Sequence, residues 1–383
     1  MTDSPAAAQS TTAQSATAQP AADLPAVDLP AVDQSAAVPP HVSDVVPDPG
    51  SAPAIRWGIL GAGWIASTFS QAVREHTAST VVAVGSRDEA KAQAFADEFA
   101  PGATAHGSYE QLVADPDVDV VYVATPHSHH REHALLAIAA GKHLLVEKAF
   151  TRNEAEAHDV LDAAREAGVF VMEAMWTRFL PHVAALRAVV ARGEIGDVIE
   201  VSADHGQHFD FDPTHRLYDP ALAGGALLDL GVYPVSFALD VLGEPTAITA
   251  VGSLTPTGVD GQISMTFTHG SPGARGEEQR STLSTTLWAQ TRNGATISGT
   301  RGRIEVDPWF YTPTGFRVVR SDGSTWTYAG VTGEGKQYQA AEVARCVAAG
   351  LTQSPRMTWD DTLAVLRTMD EVRRQVGVVY PGE

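Results

Sequence analysis

The sequence predicts an α/β protein of two domains, in which a doubly wound parallel sheet is followed by an α+β domain with a mainly antiparallel open sheet. Three features lead there. Between residues 55 and 172, short uninterrupted apolar runs alternate with segments of helical periodicity, the pattern of strands buried on both faces by crossover helices. Beyond residue 192 the rhythm changes to short strands separated by Gly, Asp and Asn turns, which is how antiparallel strands are joined. The chain is also 383 residues long and 44% hydrophobic, more than one core holds and enough to fill two. The expected partition is a low-complexity tail over 1–53, the parallel-sheet domain over 54–173 and the α+β domain over 174–383.

The tail is rich in Ala, Gln, Ser, Thr, Pro and Asp, contains a near repeat over residues 23–33, and carries no Lys or Arg before Arg56. Such a segment buries too little apolar surface to offset its ordering entropy, so disorder is expected. It lacks the basic start and continuous apolar core of a secretion signal, which makes the cytoplasm the expected compartment.

The elements then follow in order. Residues 55–60 form an apolar strand, 65–74 a helix, and 80–84, rich in β-branched residues, a second strand. Residues 88–99 are helical, with Ala90, Ala94, Phe95 and Phe99 on one side. A buried strand over 118–124, a helix over 131–140 ended by Gly141, and strands over 143–146 and 169–173 complete the first domain. A helix over 180–192 opens the second. A strand and a Gly-rich helical segment over 224–242 come next, then strands over 247–252, 262–268, 282–290, 294–299, 302–306, 315–320 and 324–328, and closing helices over 337–349 and 358–375.

Composition narrows the partners. A formal net charge of −20, from 46 acidic and 26 basic side chains, opposes binding to nucleic acid or an anionic membrane. No stretch is expected to supply the ~20 apolar residues of a membrane helix. The lone cysteine, Cys346, lies in an apolar helical pattern and is expected to be a small core residue.

Gly61-Ala62-Gly63-Trp64-Ile65-Ala66 follows a strand and opens a helix. Gly61 permits the tight turn and Gly63 the close approach of backbone N–H groups to a pyrophosphate, so these residues with Trp64 and Ile65 are expected to bind a dinucleotide on a Rossmann domain. After the second strand the chain reads Ser86-Arg87-Asp88. Ser86 and Arg87 suit a ribose 2′-phosphate, Asp88 suits a helix N-cap, and NADP is favoured over NAD. Thr125, His127 and His130 follow the strand over 118–124, in a loop that faces the cofactor. No Cys or matched carboxylate set accompanies these histidines, and no metal is expected. Glu147-Lys148 ends the strand over 143–146, at the same carboxyl edge, where a lysine is a reactive group aimed at the cofactor. Asp229 and Tyr233 stand four residues apart in the Gly-rich helical segment and share a helix face, an acid and a phenol suited to take a proton from a substrate hydroxyl.

These motifs, with Val123-Ala124-Thr125-Pro126-His127, Ala140-Gly141-Lys142-His143, Met172-Glu173-Ala174-Met175-Trp176-Thr177-Arg178-Phe179 and Gly224-Gly225-Ala226-Leu227-Leu228-Asp229-Leu230-Gly231-Val232-Tyr233, together resemble the Gfo/Idh/MocA oxidoreductases. Within them the chain is most similar to the branch of dihydrodiol and NADP-linked xylose dehydrogenases. The resemblance implies hydride transfer between a nicotinamide and a carbinol carbon of an aldose or cyclic vicinal diol. It implies Lys148, Asp229 and Tyr233 as catalytic residues, Trp176 and Arg178 on the nicotinamide and substrate side, and Arg216 as a basic residue before the glycine pair. Phe209 joins Trp176 among the aromatics that suit a sugar ring or diol. Glu147 is grouped with the cofactor-binding residues. A homodimer or homotetramer through the second domain's sheet is implied as well. One residue departs from the pattern, since Ala149 stands where the family has proline after the lysine. Members that recycle NAD to modify glycosides, and a non-catalytic NADP-binding sensor, are the competing functions.

Overall fold

The computed structural model describes residues 46–270, 278–331 and 333–383, so the expected tail lies outside the described residues as far as position 45. Just beyond it, Pro49–Ser51 make one 3₁₀ turn. Arg345 Nη2 holds this turn by donating to the Asp48 carbonyl at 2.8 Å.

The first domain is a six-stranded, wholly parallel sheet. Its strands are β1 (Arg56–Leu60), β2 (Thr80–Gly85), β3 (Thr104–His106), β4 (Val120–Val123), β5 (His143–Val146) and β6 (Val171–Glu173), in the order β3-β2-β1-β4-β5-β6. The crossover helices are α1 (Trp64–His76), α2 (Glu89–Phe99), α3 (Tyr109–Ala114), α4 (His130–Ala139) and α5 (Glu154–Ala167). Strand order reverses between β1 and β4, which opens a crevice at their carboxyl ends. An aromatic stack ties this region together, with Trp57 of β1 edge-on to Phe69 of α1 at 5.0 Å and Phe69 stacked on Tyr122 of β4 at 4.1 Å. The sequence pattern predicts neither β3 with α3, which are too short for periodicity, nor α5. Yet α5 is capped by Asn153, which accepts from Glu156 N, and is stopped by Gly168 at φ 65°.

The second domain begins with a 3₁₀ turn, Trp176–Phe179, and α6 (Pro181–Ala191). Its sheet holds β7 (Val198–Gly206), β8 (Pro245–Leu254), β9 (Asp260–His269), β10 (Gln279–Thr286), β11 (Ala295–Gly299), β12 (Gly302–Val306), β13 (Phe316–Arg320) and β14 (Thr325–Tyr328). The order is β14-β13-β12-β11-β7-β10-β9-β8, antiparallel throughout except where β7 runs parallel to β10. A π-helical turn, Leu227–Gly231, leads into α7 (Val232–Leu242), which packs on β7. The apolar stretch Pro220–Leu242 corrects one expectation, because its length and mean hydropathy of 1.5 match a membrane helix. Of its most apolar 18-residue stretch, 94% is buried within the protein, as a core helix is.

The chain ends with α8 (Lys336–Ala348) and α9 (Trp359–Val376), and both pack back on the first domain as well as on the second. Trp359 Nε1 donates to Val171 O at 3.0 Å and Val171 N donates to Thr352 O at 3.0 Å, so the end of the chain covers β6, the edge strand. One continuous core therefore runs beneath both sheets. The opposite face of the eight-stranded sheet is uncovered, and it exposes Val251 by 68%.

Candidate active site

The carboxyl ends of β1, β4 and β5 converge on one crevice. Gly61 has φ +106°, and a Cβ there would meet Ala124 O at 2.9 Å, so both backbone angle and space require glycine. Gly63 caps α1 without any side-chain hydrogen bond, which leaves the first N–H groups of the helix unpaired. A Cβ on Gly63 would meet nothing within 4 Å. An uncapped helix N-terminus facing open ground fits the pyrophosphate of a dinucleotide. Trp64, 72% exposed, and Ile65 flank it.

Further along the same edge, Ser86 is buried and its hydroxyl accepts from Asp88 N at 3.2 Å, while Asp88 caps α2 as the sequence predicts. Arg87 is exposed and lies beside the Tyr109 phenol. These groups suit the adenosine end of NADP, where the guanidinium would meet a phosphate.

At the other end stands Lys148. Its ammonium donates to Asp229 O at 2.7 Å, lies 3.5 Å from Asp229 Oδ1, and sits 4.9 Å from the centre of the Tyr233 ring. The Lys148–Ala149 peptide is cis. Asp229, 8% exposed, also accepts from Arg216 Nη1 at 3.0 Å and Nη2 at 3.4 Å. Burial alone would raise the Asp229 pKa, but the charges of Arg216 and Lys148 hold the carboxyl well below its usual range. Burial likewise opposes the Lys148 cation, and Asp229, Tyr233 and Glu147 outweigh it and raise the amine's pKa. The Tyr233 oxygen accepts from Trp176 Nε1 at 3.1 Å. The charge of Lys148 pulls the phenol pKa down. Burial, aided by Glu147, wins, and the net shift is upward.

Other predicted residues support this centre from behind. Glu147 accepts from the Tyr122 hydroxyl through one oxygen and from Lys148 N at 3.3 Å through the other, so it anchors the lysine's backbone and its oxygens are spent within the protein. His130 places Nε2 2.7 Å from Thr125 O and Nδ1 2.9 Å from Ala149 O, stapling the loop after β4 to the loop after β5. A neutral ring donates to one of these carbonyls at a time; burial pushes its pKa down against the pull of both. His127 lies 3.2 Å from Ala223 O, and burial and His130 push its pKa down to about 3 despite the nearby Asp229.

Arg178 and Phe209 are engaged with other parts of the protein. Arg178 is 4% exposed and contacts Ser236 at 3.2 Å, Asp361 at 3.1 Å and Asp240 at 3.8 Å, so it cements the 3₁₀ turn to α7 and α9. Phe209 packs on the small cluster of Leu217, Tyr218, Ala226, Leu230 and Leu287, beneath the loop that carries Arg216.

Tyr122, Lys336 and Tyr311 neighbour the site without any sequence signal, whereas His205 opens a His- and Asp-rich loop that the sequence offers as a reader of hydroxyls. Tyr122 reads as one more apolar strand residue. Lys336 lies with its Nζ 4.5 Å from the centre of the Trp176 ring and donates to Glu334 at 2.9 Å. Tyr311 and His205 pack on Tyr233 at 4.8 and 5.3 Å. The structure also brings together His129, Glu132 and His133, whose ligand atoms lie within 4.8 Å of one another. His133 Nδ1 is already engaged by Thr125 Oγ1 at 3.0 Å, and Glu132 is exposed. The sequence spacing did not anticipate this carboxylate beside two histidines.

Known proteins resemble this chain in sequence and in fold. The description "Oxidoreductase family, NAD-binding Rossmann fold" matches residues 55–175, and "GFO/IDH/MocA C-terminal domain" matches 183–305. The chain is 36% identical over 370 residues to D-xylose 1-dehydrogenase (NADP(+)) of Hypocrea jecorina, covering 85% of this chain and 93% of that protein. It is 38% identical over 341 residues to trans-1,2-dihydrobenzene-1,2-diol dehydrogenase of Sus scrofa, covering 86% and 98%. Its fold matches the aldose-aldose oxidoreductase of Caulobacter crescentus complexed with glycerol at a TM-score of 0.74, with 27% identity over 85% of this chain and 98% of that one. With both family domains present in order, and a dinucleotide cradle opposite a Lys–Asp–Tyr cluster, the chain belongs to the Gfo/Idh/MocA family of NAD(P)-dependent oxidoreductases.

Proposed function

We propose that the protein is an NADP-preferring dehydrogenase whose substrate is an aldose or a cyclic vicinal diol, and that Lys148, Asp229 and Tyr233 act on its carbinol group. The observation that carries this reading is the Lys148 ammonium, held between the Asp229 carboxylate and the face of Tyr233. NADP supplies the hydride chemistry when bound, and the protein supplies position and charge. The Tyr233 oxygen already accepts from Trp176, so its own hydrogen is free to meet the substrate oxygen. In the reducing direction the phenol, kept neutral by burial, gives up this proton; in the oxidising direction its phenolate, which the Lys148 charge favours, takes the proton of the substrate hydroxyl. Lys148 stabilises the alkoxide that develops between these states, and Asp229 keeps the lysine charged. The names of the similar proteins, a xylose dehydrogenase and a dihydrodiol dehydrogenase, support this substrate class.

Steady-state appearance of NADPH across aldoses and cyclic diols tests the reading. Turnover with at least one of them is expected, and it should be faster with NADP than with NAD. Arg87→Ala is expected to raise KM for NADP about 10- to 100-fold and to leave KM for NAD little changed, from loss of a charge-assisted bond to the phosphate. A silent protein, or product without net NADPH, overturns the dehydrogenase.

We assign the uncovered sheet face to a second copy of the chain, on the support of that open face and its exposed Val251. Light scattering should give a dimeric or tetrameric mass, reduced by Val251→Asp; a monomeric parent protein sinks the assignment. With a net charge of −20, neither nucleic acid nor an anionic membrane is a proposed partner, and the cytoplasm is the proposed compartment.

A further inference from the structure

A hydrogen-bonded chain on the second domain's sheet ends at Tyr311, whose ring packs on Tyr233. His205, at the end of β7 and 1% exposed, places Nδ1 3.1 Å from Leu230 O and Nε2 3.0 Å from Gln207 Nε2. A carbonyl only accepts and an amide nitrogen only donates, so the ring carries its hydrogen on Nδ1 and accepts at Nε2. The reverse orientation of the Gln207 amide would require both ring nitrogens protonated. Burial opposes that charge and pushes the His205 pKa down to about 3. Gln207 Nε2 also donates to the Tyr311 hydroxyl at 3.2 Å. With Gln207 as donor, the hydrogen of Tyr311 is directed away from it. No hydrogen bond within the described residues uses that hydrogen, nor the Gln207 Oε1 acceptor.

The loop that carries Tyr311 is fixed. Thr177 Oγ1 donates to Tyr311 O at 2.8 Å, His182 Nε2 lies 2.9 Å from Phe310 O, and Phe310 N donates to Asn293 O at 3.0 Å. Between these anchors Trp309 is forced to φ +63°, a left-handed conformation that a bulky residue adopts only when its surroundings impose it. Its ring is 36% exposed and 6.0 Å from that of Tyr311. The Tyr311 ring itself stacks on His205 at 4.0 Å and leans on Tyr233 at 4.8 Å.

We infer that Tyr311 and Gln207 read a second hydroxyl of the substrate, Tyr311 donating to it and Gln207 Oε1 accepting from it, beside the carbinol that Tyr233 and Lys148 act on. His205 is a positioning residue, which sets the direction of both groups through its tautomer. Recognition of the neighbouring hydroxyl that both proposed substrate classes carry is thereby assigned to these two side chains, and a lone alcohol leaves the pair unsatisfied. This inference rests on the dehydrogenase reading above.

The test compares kcat/KM for a vicinal cyclohexanediol with cyclohexanol, and for xylose with its deoxy analogue lacking the hydroxyl next to the anomeric carbon, all with NADP. The parent enzyme is expected to favour the vicinal member of each pair. Tyr311→Phe should narrow that preference about 10-fold, mostly through KM of the vicinal member. Gln207→Glu removes no side chain, but it makes position 207 an acceptor and turns the Tyr311 hydrogen toward itself. It should narrow the preference as Tyr311→Phe does. Equal losses on both members of each pair, unchanged preference in Tyr311→Phe, or parental preference in Gln207→Glu overturns the inference. No turnover by the parent enzyme on any compound overturns the dehydrogenase reading instead.

Discussion

Lys148→Met is expected to lower turnover by a factor of about 10² to 10⁴, the range lost when a charged group aimed at a developing oxyanion is removed, while NADP still binds. The lysine lies at the end of β5, away from the helix N-terminus at Gly63 and from Ser86 and Arg87, so the groups suited to the dinucleotide are untouched. Methionine occupies similar volume without charge. Asp229 retains Arg216 at 3.0 Å, so the substitution leaves no buried carboxylate without a countercharge and the fold is expected to hold. What disappears is the cation 4.9 Å from the centre of the Tyr233 ring. Burial and Glu147 are then opposed only by the hydrogen bond from Trp176, and the phenol pKa rises further. Steady-state kinetics on any turned-over substrate, with NADP affinity followed by tryptophan fluorescence, reads both effects. A variant with near-parental kcat removes Lys148 from the reaction, and one that no longer binds NADP makes it a cofactor ligand.

The parts of this centre that were legible in the sequence are those whose chemistry is written locally. Gly61 and Gly63 are recognisable because a strand, a tight turn and a helix start need them at that spacing. Asp229 and Tyr233 are recognisable because four residues along a helix is one turn, and the π-helical turn at Leu227–Gly231 preserves their convergence. Lys148 is legible from its place at a strand end. What the sequence hides is which partner claims a group. Arg178, in an aromatic motif, reads as a ligand for the cofactor, but Asp240 and Asp361 arrive from distant helices and take it into the core. Glu147 reads as part of the cofactor wall, and Tyr122, from the neighbouring strand, turns it inward. His205 and Tyr311 lie 106 positions apart in the chain and meet only because the eight-stranded sheet brings the end of β7 beside the loop after β12. The strand expected over 282–290 illustrates the same limit at an element boundary. β10 ends at Thr286, whose side chain accepts from Trp288 N at 3.0 Å, a local turn that overrides the β-forming residues beyond it.

Asp229→Asn is expected to move the alkaline limit of activity rather than only its height. In the parent protein burial opposes the Lys148 charge, and the Asp229 carboxylate is the largest of the influences that reverse this and raise the amine's pKa. The cation is the active form, so activity is lost as pH rises through that pKa, and in the parent enzyme the loss falls above the ordinary lysine range. An asparagine keeps the shape and removes the negative charge. Burial and the neighbouring Arg216 then both act against the ammonium, its pKa falls, and the alkaline loss shifts down toward neutral pH. At a pH low enough to recharge Lys148, part of the lost turnover should return, which a merely misfolded variant cannot show. Stability should fall as well, because two cations lose the carboxylate that pairs them. The cost lies toward or below the low end of the ~3–5 kcal/mol typical of breaking a buried pair, since the Arg216 side chain is 51% exposed and water screens it. Rate profiles over pH for the two proteins, with chemical denaturation alongside, separate these effects. An alkaline limb that stays in place shows that Asp229 does not control the charge of Lys148, and the division of labour between the three residues then has to be redrawn.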